Sequence, residues 1–181
     1  MSLSSLLKKI GAKHYHFLLF AVSSKKIAYG IHLFSVKDDD IFFDHTEKSL
    51  SLIKQFDSEA FGKVQKYLTR IAHLGQGDNK YDFRAKTFYV GDYFPNDVCF
   101  FASFIVHEAK HAELHSNGMK YETKEEMEEQ ETICTTAQHT FLKLLIDKNP
   151  NLDEEDKSKY LEEYAAWFKE GLKGRWWERT L

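Results

Sequence analysis

The sequence predicts an α+β fold: one domain over residues 1–181, with a short mixed sheet packed on a central helix and on the helix that follows it. Three observations predict it. Short aromatic and aliphatic runs broken by Ser, Lys, Gly and Asp dominate the N-terminal half, the pattern of strands and turns. Beyond Pro95 the apolar positions recur at the helical period instead. The length suits a single core, since two domains would each be small.

In chain order, Lys8 and Lys9 followed by the apolar run Phe17 to Val22 have the outline of an export signal. The run is short, His14 and His16 flank it, and Ser23, Ser24, Lys25 and Lys26 interrupt it at once. It is too short to span a bilayer as a helix and reads as a buried strand. A cytoplasmic location without a transmembrane segment is therefore expected, a degenerate export signal being the other reading. "KIAYGIHLF" reads as a second strand and "DIFFD" as a shorter third. From Ser58, the residues Phe61, Val64, Leu68 and Ile71 stand at helical spacing until Gly75 and Gly77 end the pattern. "DFRAKTFYVGDY" then alternates polar and apolar positions through Thr87, Phe88, Tyr89 and Val90, as a strand does.

The central helix is delimited at both ends. Asn96 or Asp97 after Pro95 makes the N-cap, and "HSNG" with Gly118 makes a left-handed stop. Its first half, "VCFFASFIV", is apolar nearly all round, so the helix enters the core rather than lying on it. Its second half carries His107, Glu108 and His111 into that environment. A buried carboxylate without a partner is costly or is neutralised, and a divalent metal is one compensating charge. Residues four apart on a helix share a face, so both imidazoles can reach one ion. Glu108, rotated about 100° from His107, stays near that ion with room for a water between.

H-E-x-x-H alone is moderately specific in a chain with nine histidines, and a third ligand sharpens it. His115 lies one turn beyond His111, but three histidines on one straight helix span about 12 Å, too far for a single ion. Downstream, Thr123 and Glu126 form a capping box that opens the helix "KEEMEEQETICTTAQHTFLKLLID", closed by Asn149 and Pro150. Met127, Cys134, Phe141 and Leu145 make one stripe of it, and Glu131 projects into that stripe. Glu129 points almost the opposite way, and Glu128 sits at the margin as the fallback. One metal ion on His107, His111 and Glu131 would offset the burial of both carboxylates.

"HEAKH", a glutamate twenty residues after its second histidine, and the small residue three beyond that glutamate in "ETICTTAQ" together resemble the gluzincin class of zinc metallopeptidases, the thermolysin-like enzymes. The resemblance covers about residues 85–145. It implies a zincin-like core with zinc as cofactor, His107, His111 and Glu131 as its ligands, and Glu108 as general base for a zinc-activated water that hydrolyses peptide bonds. It also implies that "KTFYVG" is an edge strand holding an extended peptide by backbone pairing, with Phe88 and Tyr89 against the substrate. A peptide or protein is then the partner. Two departures stand beside the likeness. Thr135 occupies the place where thermolysin-like sequences carry an aspartate that orients a histidine, and a hydroxyl accepts an imidazole N–H without bringing charge. The chain has no room for the large C-terminal helical domain that supplies transition-state donors, which leaves Tyr121 and His139 as nearby candidates.

The remaining features take plainer readings. His14, His16, His32, His45 and His73 have no ligand spacing, and the "EEMEEQE" run is mainly a solvated acidic face. Leu161, Tyr164, Phe168 and Leu172 mark a final helix on the core, while "RWWER" either packs with it or docks on a partner or a membrane surface. Cys99 and Cys134 have no metal-binding spacing and pair only if the fold brings them together. A net charge of −3 removes the counterion-release term that drives nucleic-acid binding, so no nucleic acid is expected as partner. A carboxylate-bridged di-metal bundle would use Glu108 and His111 as one Glu-x-x-His element, but it needs a second on another helix and the chain lacks one. The alternative to a zinc peptidase is a non-catalytic metal-binding or protein-interaction domain that retains a zincin-like site.

Overall fold

A hairpin begins the sheet. Tyr29 and Gly30 hold φ of 52° and 83°, a two-residue left-handed turn whose twist matches its strands. It joins β1 (Ser24–Ala28) to β2 (Ile31–Ser35) in antiparallel register. The computed structural model describes residues 21, 23–36, 40–75, 77, 79–91, 97–150, 152–155, 157–158, 160–162 and 164–166. After β2, two helices, α1 (Asp40–Phe56) and α2 (Ser58–Tyr67), cross over to β3 (Arg70–His73), which lies parallel to β2. Parallel neighbours require such a crossover. β4 (Lys80–Asp82) and β5 (Thr87–Val90) follow, β5 parallel to β3 and antiparallel to β4. The sheet order is β1-β2-β3-β5-β4, so the fold is mixed α+β with antiparallel strands at both edges.

Strand register divides the apolar residues between two faces. Leu33, Ile71 and Phe88 are paired across β2, β3 and β5 and enter the main core with Phe42, Leu50, Ile53, Val64, Phe101 and Ile105 from the helices. Phe34, Ala72 and Tyr89, one residue further along each strand, form a smaller cluster on the opposite face. All four residues of β5 are buried, as expected of a strand with covered faces.

Helix α3 (Val98–Ser116) runs through the core and α4 (Lys124–Lys148) packs beside it. Asp97 is the N-cap of α3, its carboxylate accepting from Phe100 N at 2.7 Å. The other end closes with Gly118 at φ 86° and with Met119 N donating to Leu114 O at 3.0 Å. Thr123 and Glu126 form the expected capping box of α4, whose C-cap is Asn149. Ser103 faces Gln138 and His111 faces Gln130, so the two helices run antiparallel. Residues Leu161 and Tyr164 are helical and pack near Phe100, Leu142 and Ile146, whereas Phe168, Leu172 and "RWWER" lie outside the described residues.

Several expectations are corrected. "DIFFD" is the start of α1, because Phe42, Phe43, Thr46, Ser49, Leu50 and Ile53 continue its apolar residues at the helical period. "KIAYGIHLF" is most of a hairpin rather than one strand, folded back at Tyr29–Gly30. The helix expected to reach Ile71 stops at Tyr67, and Leu68 and Ile71 are buried beyond it, in the connection and in β3. "KTFYVG" is not an edge strand: β5 pairs on both sides, and the edge is β4. Of the N-terminal apolar run, Ala21 is helical and exposed rather than part of a buried strand, and the rest lies outside the described residues. Among the described residues no helix is long and apolar enough to cross a membrane.

Candidate metal centre

The second half of α3 and the first half of α4 bring His107, His111 and Glu131 together. These three residues and Glu108 are between 3% and 6% exposed. Two imidazoles one helical turn apart point the same nitrogen inward, with His107 Nε2 3.1 Å from His111 Nε2. Glu131 completes the triangle from α4: Oε2 is 3.5 Å from His107 Nε2, and Oε1 is 3.3 Å from His111 Nε2. One ligand atom from each residue lies within 4.8 Å of the others. Bonds of about 2.0–2.2 Å in a tetrahedral zinc shell put neighbouring ligand atoms roughly 3.3–3.6 Å apart, close to the contacts of 3.1–3.5 Å that the two imidazoles make with each other and with the two Glu131 oxygens.

Surrounding groups fix how these ligands point. Tyr121 donates its hydroxyl to Glu131 Oε1 at 2.8 Å, while Glu131 Oε2 has no hydrogen-bond partner. Gln130, fully buried, donates Nε2 to Lys120 O at 2.8 Å and turns Oε1 toward His111 Nδ1 at 3.4 Å. The Lys120 carbonyl accepts only, so it fixes which end of the Gln130 amide is oxygen. In the neutral imidazole, an acceptor at Nδ1 favours the tautomer with the proton there, which leaves Nε2 its lone pair. Tyr121 also sits edge-on to the His111 ring, with centroids 6.0 Å apart.

Glu108 lies on the same helix and accepts a hydrogen bond from the backbone N–H of Tyr81 on β4. Because β4 is the sheet edge, this contact brings an edge strand against the metal cluster. Burial raises the Glu108 carboxyl above the usual range, opposed by the two imidazoles and helped by the neighbouring Glu131 charge. A carboxylate raised in this way is a stronger base. The three ligand candidates balance charge among themselves. Burial pushes Glu131 up, but His107 and His111 outweigh it and hold the carboxyl well below its ordinary range. For His111, burial acts downward, and contacts with Cys134 and Glu131 overcome it and raise the imidazole well above its ordinary value.

The other sequence candidates fall as follows. Glu128 has a side chain 46% exposed and stands 4.0 Å from Lys124 on the outer face. His115 is exposed and stacks on Phe83, with centroids 4.2 Å apart, which keeps it out of the cluster. His139 stacks on Tyr164, away from the ligands. Thr135 is buried, yet His107 Nδ1 has no hydrogen-bond partner, so Thr135 does not orient that ring. Phe88 packs on Phe101 in the core and Tyr89 lies on the opposite sheet face, with the backbone of both already paired to β3 and β4. The edge strand on this side of the sheet is β4 instead. Gln130 was missed by sequence reasoning, although its position directly before Glu131 was a usable signal. Cys99 and Cys134 are free thiols.

Compared with known proteins, the chain gives no significant match to any family model, curated protein or solved structure.

Proposed function

We propose that the chain is a zinc-dependent metallopeptidase. The observation that carries this reading is the buried cluster of His107, His111 and Glu131, one ligand atom of each lying within 4.8 Å of the others, formed beside Glu108. His107 Nε2, His111 Nε2 and a carboxylate oxygen of Glu131 would hold the metal, since one ligand atom of each lies within 4.8 Å of the others and Glu131 Oε2 has no hydrogen-bond partner in the protein. Zinc at such a site supplies Lewis acidity, acidifying a water and polarising a carbonyl oxygen. Glu108 would be the base of the site, its carboxylate taking a proton from the attacking water and returning it to the leaving amine. The backbone of Tyr81 lies against the Glu108 carboxylate, so β4, an edge of the sheet, stands beside the cluster and would be the strand nearest an extended peptide.

A non-catalytic metal site is the second reading. Glu108 is 5% exposed and already tied to the Tyr81 backbone, an arrangement that also suits a purely structural ion. One experiment separates the two. Metal content by plasma mass spectrometry on untagged protein should give about one zinc per chain. With an unstructured protein such as casein as substrate, Glu108→Gln should retain that zinc and lose about 10²- to 10⁴-fold in kcat/KM. Zinc without hydrolysis in the wild type would select the non-catalytic reading, and folded wild type that takes up no supplied zinc would remove both.

A further inference from the structure

Histidines that bind zinc generally donate their second ring N–H to an acceptor that fixes the ring. Gln130 stands in that position toward His111, but His107 Nδ1 has no hydrogen-bond partner. The same helix interface holds a complementary group. Gln138 is fully buried, its Nε2 donates to Ser103 Oγ at 3.2 Å, and its Oε1 has no hydrogen-bond partner. Each unpaired buried group carries a desolvation cost. A donor and an acceptor in one interface relieve both costs by meeting.

The amide orientation is fixed by its neighbour. Ser103 donates its own proton to Phe100 O at 2.7 Å, so its oxygen faces Gln138 as an acceptor and the NH₂ end must lie there. The free end of Gln138 is therefore oxygen. The helices bring it to the right level. Side chains on a helix lean toward its N-terminus, so His107 lies back over the turn that holds Ser103. Helix α4 runs the opposite way, and the same lean carries the Gln138 amide from the level of Ser103 toward that of His107.

We propose that Gln138 is the positioning residue for His107, its Oε1 accepting the Nδ1–H and aiming Nε2 at the metal. The inference rests on the zinc reading above and deepens it. A neutral amide two turns along α4 from Glu131 takes the orienting role that Thr135 does not fill.

The test compares zinc affinity, by competition with a chromogenic chelator, in the wild type, Gln138→Met, Gln138→Glu and Thr135→Val. Nitrogen-15 NMR of the zinc-loaded wild type reads the His107 ring directly. Gln138→Met should lose about 10- to 100-fold in affinity, Gln138→Glu should recover most of it through its retained acceptor, and Thr135→Val should stay within about twofold. In the loaded wild type, His107 Nδ1 should carry a slowly exchanging proton. Wild-type affinity in folded Gln138→Met, or an unprotected His107 Nδ1–H in the wild type, overturns the assignment. The NMR arm decides alone if the methionine variant does not fold. Wild type that takes up no zinc removes the metal reading and this inference with it, whereas zinc uptake with an indifferent Gln138 removes only the inference.

Discussion

The α3–α4 interface has two ends built to different rules. Near the start of α3, Cys99 and Phe100 meet Leu142, Ile146 and Tyr164 in an apolar cluster closed by aromatic edges, Phe100 and Tyr164 standing 5.8 Å apart at 74°. Near its end, His107, Glu108 and His111 meet Gln130 and Glu131, and all five are buried. The first end is sufficient to pack two helices. The second buries two carboxylates and two imidazoles, and such groups add less to stability than apolar residues of similar volume. On the metal reading proposed above, their burial serves a binding site carried by the fold rather than holding the fold together.

Converting the polar end into a copy of the apolar one should give the largest effect. A triple variant, His107→Leu, His111→Leu and Glu131→Met, should fall from about one zinc per chain to none. Its metal-free form should unfold at equal or higher denaturant concentration, by up to about 1–4 kcal/mol, because apolar residues replace buried charge. Urea titrations of both proteins in chelator would measure this. A triple variant that cannot fold would mean that the polar cluster is structural and that the contrast between the two ends has been misread.

The reverse perturbation leaves the site intact. Leu142 is 1% exposed in the apolar cluster, and Leu142→Ala should destabilise the fold by about 2–5 kcal/mol through lost burial and a cavity. Its zinc affinity should remain that of the wild type at temperatures where it is folded. A parallel loss of affinity would show that the two ends are coupled rather than separate. Smaller again is Gln130→Met, which keeps the volume but removes the acceptor facing His111 Nδ1 and the tie to Lys120 O. A loss of about 10- to 100-fold in zinc affinity is expected from it, read by chelator competition. An unchanged affinity would indicate that His111 needs no partner beyond the helix.

The same contrast explains what was legible in the sequence. Asp97, Gly118, Thr123 and Glu126 act within a few residues of themselves, so the limits of α3 and α4 could be read from local signals. His107 and His111 were legible because they share one helix turn, and Glu131 because it stands in an apolar stripe. The N-terminal half gave less. "DIFFD" shows its period only when read on to Ile53, and Leu68 and Ile71 keep a spacing of three although one precedes a strand and the other lies in it. β4 is three residues long, too short for any pattern. Contacts of Tyr121, Tyr81 and Gln138 with the site and its surroundings join residues of different elements, and they follow only from antiparallel register and strand order.

The smallest expected effect makes the sharpest distinction, because it sets two glutamates of one helix against each other. Glu128 and Glu131 are three residues apart on α4, with side chains 46% and 4% exposed. Glu131 faces two imidazoles and a tyrosine hydroxyl, whereas Glu128 faces only Lys124 at the 4.0 Å limit of an ion pair. An exposed pair of this kind contributes about 0.2–1 kcal/mol at most, and salt screens it. Glu128→Ala should therefore bind zinc as the wild type does, with stability within about 0.5 kcal/mol of it. Chelator competition and urea titration on that one variant measure both quantities. Lost zinc would move the third ligand one turn along α4 and dissolve the triangle on which the metal reading stands, whereas retained zinc would leave burial, rather than charge, as the property that separates the two carboxylates.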